Sequence, residues 1–230
     1  MEPGEILTYD EMCVGEGIGR QQAGMRFRSP PEHGIILMSL LANAPYGDDL
    51  DANGGLVYEG HDVRRTPGSE PKRTDQPRYQ RSGTPTENGR FADWTDRYKR
   101  GEVAPARFHV YEKLRRGIWT FRGAYLLRDY RQERSGVRWV FKFLLEPTSF
   151  VSASSDEPIT SQEADSRLIP TWVKQAVYKR DGGRCVICGA ATQLHFDHDL
   201  PFTKGGASHL PENVRLLCAR HNLAKGARIE

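Results

Sequence analysis

Four metal-binding side chains stand in two closely spaced pairs near the C-terminal end of the sequence. Cys185 and Cys188 form the first pair, and Cys218 and His221 form the second, with 29 residues between the pairs. Thiolates and imidazoles in two such pairs are the ligand set that tetrahedral zinc requires, which predicts a structural Zn2+ site. Cys13 lies far upstream and is interpreted as an ordinary thiol. The alternative for the cluster, free cysteines beside a surface histidine, predicts no metal in the purified protein.

Two further polar residues, Asp197 and His198, lie between these pairs in the segment LHFDHDLP. Neighbours in an extended strand point to opposite faces, but at the strand end before Pro201 both side chains can approach one cleft. A carboxylate suits a hard divalent cation, and a histidine is a competent base near neutral pH. The alternative for His198 is a satisfied core histidine. His195 either supports the hairpin or contacts phosphate.

The helix predicted to begin near Cys218 gives the next two residues different directions. His221 and Asn222 are about 100° apart around a helix axis, and one can therefore face zinc while the other faces the cleft. The three-residue step from Cys218 assigns His221 to zinc and leaves Asn222 for a second metal ion.

The succession FDHDLP, a Gly-Gly turn, PENVRLLC and HNLAKG resembles the HNH, or ββα-metal, nuclease motif over about 169–230. The resemblance implies that Asp197 and Asn222 hold a catalytic Mg2+ or Mn2+ ion. It also implies that His198 deprotonates the attacking water and that Asn213 braces the loop and orients His198. The sequence departs from the family where Asn222 replaces the final His, and where the second zinc pair ends in His instead of Cys.

The sequence changes character on either side of residues 148–166, which are rich in Ser, Thr and acidic residues and have the composition of a linker. Upstream, β-branched and aromatic runs predict strands at 33–41, 55–60, 107–114, 118–130 and 137–146. Downstream, IPTWVKQAVYKRD predicts a short helix with one apolar face formed by Ile169, Trp172, Val173, Ala176 and Val177. These patterns predict an α+β protein with a mainly β domain over 1–147, the linker over 148–166 and a second domain over 167–230.

The net charge of +3 is divided into blocks of opposite sign along the chain. The net charge is −8 over residues 1–63, +11 over 64–142, −5 over 143–166 and +5 over 167–230. Two basic blocks therefore flank an acidic spacer, a distribution that suits a polyanion such as DNA, although Arg-rich faces are often merely solvated.

Composition also excludes some classes of protein. No apolar stretch approaches the roughly 18 residues that a membrane span requires, which predicts a protein without a membrane partner. The N-terminus, MEPGEILTYDEMC, has neither a basic head nor an apolar core, and a cytoplasmic location is expected.

The segment PYGDDLDANGGLVYEG, residues 45–60, taken by itself reads as a surface loop that leads into a hairpin. It resembles the SRA domain, a PUA-like β-barrel that flips a modified cytosine out of duplex DNA. The pocket motif of that family, G-Y-x-D-D-x-D followed by Y-T-G, aligns without a gap with Tyr46, Asp48, Asp49, Asp51, Tyr58 and Gly60. The similarity extends over roughly 13–147, with Phe-Arg-Gly at 121–123 where the family has Tyr-Asp-Gly.

The SRA resemblance places four residues at the base-binding pocket. Tyr46 and Tyr58 would sandwich the extruded base, and Asp49 would accept a hydrogen bond from the exocyclic amine of cytosine, which thymine lacks. Glu59 stands where the family has Thr, which leaves the tolerated modification open. The Arg-rich stretches 64–90 and 97–116 would contact phosphates and the groove, with steep salt dependence.

Together the two resemblances imply a modification-dependent restriction endonuclease of the SRA-HNH, or TagI, type. Such an enzyme would bind double-stranded DNA that carries 5-methylcytosine or 5-hydroxymethylcytosine and cut nearby. One HNH site cuts one strand, and a homodimer or paired binding is therefore expected for a double-strand break. The alternatives are an HNH endonuclease with a PUA-like reader of unmodified DNA or RNA, a modified-DNA binding protein with a silent nuclease domain, and a purely structural zinc module.

Overall fold

The computed structural model of the protein describes residues 1–20, 23–51, 53–148 and 169–226. These residues form four α-helices and ten β-strands, which confirms the α+β class. The predicted linker over 148–166 lies outside the described residues, apart from its first residue. Among the helices of the described ranges, none is long and apolar enough to span a membrane.

The chain divides into two compact units. The first comprises Met1–Arg20, Glu112–Arg122 and Ser152–Glu230, and the second comprises Gln21–Tyr111 and Gly123–Val151. This division differs from the one expected from the linker composition, because two segments upstream of residue 147 group with the C-terminal residues. A four-residue strand and a hairpin tip carry no sequence signal for a distant pairing partner.

The first unit is built on antiparallel strands in the order β10, β9, β1, β7. These strands are β1 (Glu5–Thr8), β7 (Ile118–Ser135, of which only the first residues belong to this unit), β9 (Leu194–His198) and β10 (Val214–Cys218). Ile6 of β1 pairs with Thr120 on one side and with Leu194 on the other. The N-terminal strand therefore continues the β9–β10 hairpin.

Three helices accompany this sheet: α1 (Tyr9–Gly15), α3 (Thr171–Arg180) and α4 (Ala219–Lys225). Val173 and Val177 of α3 are one turn apart, fully buried and part of the unit's apolar core. The predicted helix is thus confirmed, but its predicted face was wrong at Trp172, which is 56% exposed, and at Ala176, which is also exposed. Lys174 is buried on this helix instead, because a carboxylate neutralises it.

That carboxylate is Glu112, which lies on β6 (Arg107–Arg115) and is completely buried. Its Oε2 atom accepts hydrogen bonds from Arg122 Nη1 and Lys174 Nζ, both at 2.6 Å, and Thr171 donates to Oε1. Burial opposes ionisation of Glu112, but the two cations outweigh it and hold its pKa at about 2. Removing one partner would leave a buried charge without its counter-ion, which is destabilising. The cluster therefore fixes α3 to the strand residues at 112–122.

The second unit contains strands β2 (Met25–Arg26), β3 (Gly34–Met38), β4 (Asp49–Leu50), β5 (Leu56–Glu59) and β8 (Arg138–Pro147), helix α2 (Glu87–Lys99) and parts of β6 and β7. Its strands pair in the order β2, β3, β6, β7, β8, β5, β4. All five strands expected in the N-terminal region are therefore confirmed. Their apolar faces enclose a core rich in aromatic rings, in which Phe91 of α2 contacts Phe108 of β6 and Phe143 of β8.

Candidate functional site

The four predicted zinc ligands converge at one point of the first unit, where their ligand atoms all lie within 4.8 Å of one another. Cys188 Sγ lies 3.8 Å from Cys218 Sγ, and His221 Nδ1 lies 3.4 Å from Cys185 Sγ and 3.3 Å from Cys218 Sγ. Tetrahedral zinc with its usual bond lengths separates neighbouring ligand atoms by about 3.5–3.8 Å. The side chains present therefore fit a zinc ion.

Local backbone structure places these ligands. Cys185 and Cys188 lie in a tight turn that the Gly189 amide closes by donating to the Cys185 carbonyl at 2.8 Å, and Gly189 has a φ of +75° that favours glycine. Cys218 is the last residue of β10 and the N-cap of α4, which puts His221 in the first turn of that helix. Burial raises the pKa of the Cys185 thiol, but hydrogen bonds from backbone amides, including those of Cys218 and Cys188, lower it by more. The resulting pKa is about 6, below the usual value for a cysteine. The metal-binding thiolate is thereby favoured.

Asp197 and His198 lie at the end of β9, opposite Arg215 and Val214 of β10. His198 Nε2 lies 2.9 Å from the hydroxyl of Ser208, a residue that is 2% exposed. Ser208 carries no signal in the sequence that would mark it as a partner of His198. Because a hydroxyl can donate or accept, Ser208 can hold the imidazole ring in either protonation state.

Asn213 closes the loop between His198 and Ser208. Its Oδ1 accepts from the Leu200 amide at 2.8 Å, and its Nδ2 donates to the carbonyls of Leu200 at 3.1 Å and Ala207 at 3.0 Å. Gly206 is required in this loop, since a Cβ there would lie 1.8 Å from the Leu200 carbonyl oxygen. Asn213 thus braces the loop that brings Ser208 to His198.

Asn222 lies on α4 three residues before Lys225, and the two residues therefore share one face of the helix. Lys225 Nζ donates to Asp197 Oδ2 at 2.5 Å and also to the His198 carbonyl. Lys225 thus brings this side of α4 to the end of β9, while His221 faces the cysteines. Lys225 belongs to the HNLAKG segment but received no role from the sequence.

His195 and Cys13 have no part in these clusters. His195 is 8% exposed and lies within the sheet, opposite Glu5 of β1 and Leu217 of β10. Burial lowers its pKa, which favours the neutral ring. Of the two roles open for His195, this position fits support of the hairpin. Cys13 is buried in α1.

The second unit contains a cavity of about 370 Å³. Its walls combine one aromatic ring, charged side chains and glycine backbone, from Ala44, Pro45, Tyr46, Gly47, Glu59, Lys72, Ser135, Gly136 and Arg138. The Tyr46 ring stacks on His61, with centroids 5.9 Å apart and planes inclined by 28°, and Lys72 Nζ lies 4.1 Å from the Tyr46 centroid. Burial lowers the pKa of His61 to about 4, and this ring is therefore neutral at physiological pH.

Tyr58 does not line this cavity with Tyr46. It is 1% exposed and belongs to the core, where it pairs with Phe143 and its hydroxyl lies 3.4 Å from His61 Nε2. Successive side chains of a strand point to opposite faces, and Glu59, the next residue on β5, is the one that reaches the cavity. The second aromatic ring beside Tyr46 is consequently His61.

Asp49, the carboxylate expected to contact the base, and its neighbour Asp48 differ in environment. Asp49 is exposed, and its Oδ1 accepts from the adjacent Leu50 amide at 2.9 Å. Asp48 is the enclosed one, since its two oxygens accept from the amides of Ser39 and Glu59, each at 3.0 Å. Burial raises the pKa of Asp48 to about 6.

Glu59 occupies a network of buried charges beside the cavity. Its Oε1 pairs with Arg138 Nη2 at 3.1 Å, and its Oε2 accepts from Lys142 Nζ at 3.0 Å and from the Gly47 amide at 2.9 Å. Lys142 also donates to the Gly47 carbonyl at 2.6 Å. These contacts tie the loop that carries Tyr46 to β5 and β8, and they hold Arg138 at the cavity wall.

Comparisons with known proteins give structural similarities at low identity. No family model matches the chain, and no curated protein matches it. A complex of the SUVH5 SRA domain with methylated CHH DNA has a TM-score of 0.45 and 20% identity, covering 69% of this chain and 94% of that chain. The modification-dependent TagI restriction endonuclease has a TM-score of 0.43 and 16% identity, with coverages of 97% and 76%.

The type IV phosphorothioation-dependent restriction endonuclease ScoMcrA is a third similar structure, with a TM-score of 0.40 and 16% identity. The similarity covers 98% of this chain and 56% of that chain. SRA domains and modification-dependent endonucleases are therefore among the structures that this chain is similar to, at TM-scores below 0.5.

Proposed function

We propose that this protein is a modification-dependent DNA endonuclease. Its second unit would bind a modified cytosine of double-stranded DNA, and its first unit would hydrolyse a phosphodiester bond nearby. The observation that supports the proposal is the contact of Lys225 with Asp197 and with the His198 carbonyl at the end of β9, since Lys225 shares a face of α4 with Asn222. A carboxylate, an amide and an imidazole are groups that metal-assisted phosphodiester hydrolysis can use.

In this mechanism His198 is the general base that removes a proton from the attacking water. The Ser208 hydroxyl holds the imidazole ring before and after the proton transfer, and Asn213 holds the loop that carries Ser208. Asp197 and Asn222 would hold an Mg2+ or Mn2+ ion, which supplies neutralisation of phosphate charge and stabilisation of the leaving oxygen. The zinc cluster would fix the turn at residues 185–188 to the start of α4, and thereby the helix that carries Asn222.

The cavity beside Tyr46 supports a base-binding role for the second unit. Its volume lies within the range of small-ligand sites, and its polar lining can hydrogen-bond the edge of an extruded base. Tyr46 offers an aromatic face for stacking, backed by the neutral His61 ring. Lys72 is half exposed, and its ammonium, paired with Asp62 at 3.0 Å, would add positive charge for a phosphate near the Tyr46 ring.

The modified base proposed for this cavity is 5-methylcytosine or 5-hydroxymethylcytosine. One nuclease centre cuts one strand, and two copies of the chain would therefore act together as a homodimer on a double-strand break. A cytoplasmic location is proposed because the substrate would be DNA.

A second candidate is an HNH-type endonuclease whose second unit reads unmodified DNA or RNA. The burial of Tyr58 and the exposure of Asp49 favour it, because these residues depart from the two-tyrosine, one-aspartate pocket that the SRA resemblance implies.

Replacing the cavity aromatic tests the base-binding role. Tyr46→Ala is expected to weaken binding to a duplex with one 5-methylcytosine or 5-hydroxymethylcytosine by about tenfold or more, since a stacked base contributes about 1–3 kcal/mol. Fluorescence anisotropy on matched modified and unmodified duplexes measures both affinities. Tyr79→Ala is the matched control, because Tyr79 is an exposed tyrosine of the same unit outside the cavity. Equal affinity of Tyr46→Ala and the unaltered protein for the modified duplex would remove Tyr46 from the site.

A further inference from the structure

Lys225 is the most deeply buried cation of the candidate nuclease centre. Its side chain is 1% exposed, and the Asp197 side chain that it contacts is 15% exposed. A buried ammonium is costly unless it is paired and hydrogen-bonded, and Asp197 Oδ2 and the His198 carbonyl provide this pairing. Lys225 is therefore fixed to both residues that the proposed mechanism uses on β9.

The contact makes the two oxygens of the Asp197 carboxylate unequal. Lys225 engages Oδ2, and a divalent ion held by Asp197 would therefore rely on the other oxygen. The same ammonium would place a positive charge near an ion held by Asp197. Lys225 would thus have two opposite effects on the centre, since it would fix the direction of Asp197 and repel the ion electrostatically.

We propose that Lys225 is a positioning residue that aims Asp197 at the catalytic ion and, by its charge, weakens binding of that ion when no DNA is present. A phosphate of bound DNA supplies the negative charge that offsets Lys225, and the centre therefore takes up its ion most readily on the substrate. This inference rests on the proposed nuclease function. It assigns to Lys225 a role in the reaction that goes beyond holding α4 against β9.

The role predicts opposite changes in two quantities after Lys225→Met. Binding of Mn2+ to the DNA-free protein becomes tighter, by about tenfold, because the repelling charge is gone. Cleavage at saturating Mn2+ becomes slower by at least about tenfold, because Asp197 loses the partner that directs it. A purely structural lysine would weaken both quantities together.

The experiment measures Mn2+ affinity of the full chain by electron paramagnetic resonance and single-turnover cleavage of modified duplex, with thermal melting of each variant. Lys204→Met is the matched control, because Lys204 is an exposed lysine of the same unit and should leave both quantities unchanged. Lys225→Arg keeps the charge and should keep Mn2+ affinity within about twofold while cleaving faster than Lys225→Met. If Lys225→Met melts below the assay temperature, the Mn2+ affinity of Lys225→Arg is the quantity that tests the proposal.

Unchanged or weaker Mn2+ binding by a folded Lys225→Met, or cleavage at the unaltered rate, would overturn the positioning role. For Lys225→Arg, Mn2+ binding about tenfold tighter than that of the unaltered protein would overturn it in the same way. If the unaltered protein itself neither binds Mn2+ nor cleaves, the proposed nuclease function has failed. The two failures are therefore distinguished by the behaviour of the unaltered chain.

Discussion

His198→Ala is expected to bind modified duplex as tightly as the unaltered protein and to cleave it at least about 100-fold more slowly. A positioned general base contributes about 10²–10⁴-fold to a rate, and the other imidazole of β9, that of His195, is buried within the sheet. Strand nicking of a supercoiled modified plasmid in Mg2+ measures the rate, and anisotropy measures the binding.

His209→Ala is the matched control, since His209 is an exposed neighbour of Ser208 in the same loop region and should leave nicking unchanged. Ser208→Ala should cleave at an intermediate rate, because it removes the hydrogen bond at 2.9 Å but leaves the base itself. Nicking by His198→Ala at the unaltered rate would show that another group activates the water.

Zinc removal is expected to unfold the C-terminal part of the first unit. The purified protein should contain one zinc ion per chain, and Cys218→Ser should lose it together with most of the melting transition of this unit. Structural zinc supplies on the order of 10 kcal/mol to the folding of small modules, more than a segment with so small an apolar core can replace. Elemental analysis and circular dichroism melting measure the two effects.

Cys13→Ser provides the control for a general loss of buried thiols, because Cys13 lies in α1 outside the cluster. It should keep its zinc and melt close to the unaltered protein. A Cys218→Ser variant that melts like the unaltered protein, or purified protein without zinc, would favour the alternative of free cysteines beside a surface histidine.

Sequence patterns predicted those features whose signal is local. The five upstream strands follow from β-branched and aromatic runs between turn residues, and the convergence of Cys185 and His221 follows from two short spacings joined by a hairpin. Helix α3 was also predictable, but its buried face was not. From the sequence alone, Lys174 is expected to be exposed to solvent. It is buried because it pairs with Glu112, which lies 62 positions upstream in the chain.

Long-range pairing and strand register were the features that local patterns could not supply. Strand β1 is too short for its sequence to indicate that it pairs with β9. Ser208 contacts His198 only because the loop closed by Asn213 brings it there. In the second unit, the motif alignment matched Tyr58 and Asp49 to a pocket, but strand alternation turns Tyr58 into the core and brings Glu59 to the cavity. A shift of one position along a strand exchanges the two faces, and spacing alone does not fix which face a pocket uses.

Whether cleavage depends on a modified base is measured most directly by comparing cleavage of matched duplexes. Duplexes of one sequence that carry cytosine, 5-methylcytosine or 5-hydroxymethylcytosine at a single position would be incubated with the full chain in Mg2+. We expect cleavage of at least one modified duplex to be about 100-fold faster than of the unmodified one, and no cleavage in EDTA. Equal rates on all three duplexes would show that cleavage does not depend on the modification and would favour a nuclease that reads unmodified nucleic acid.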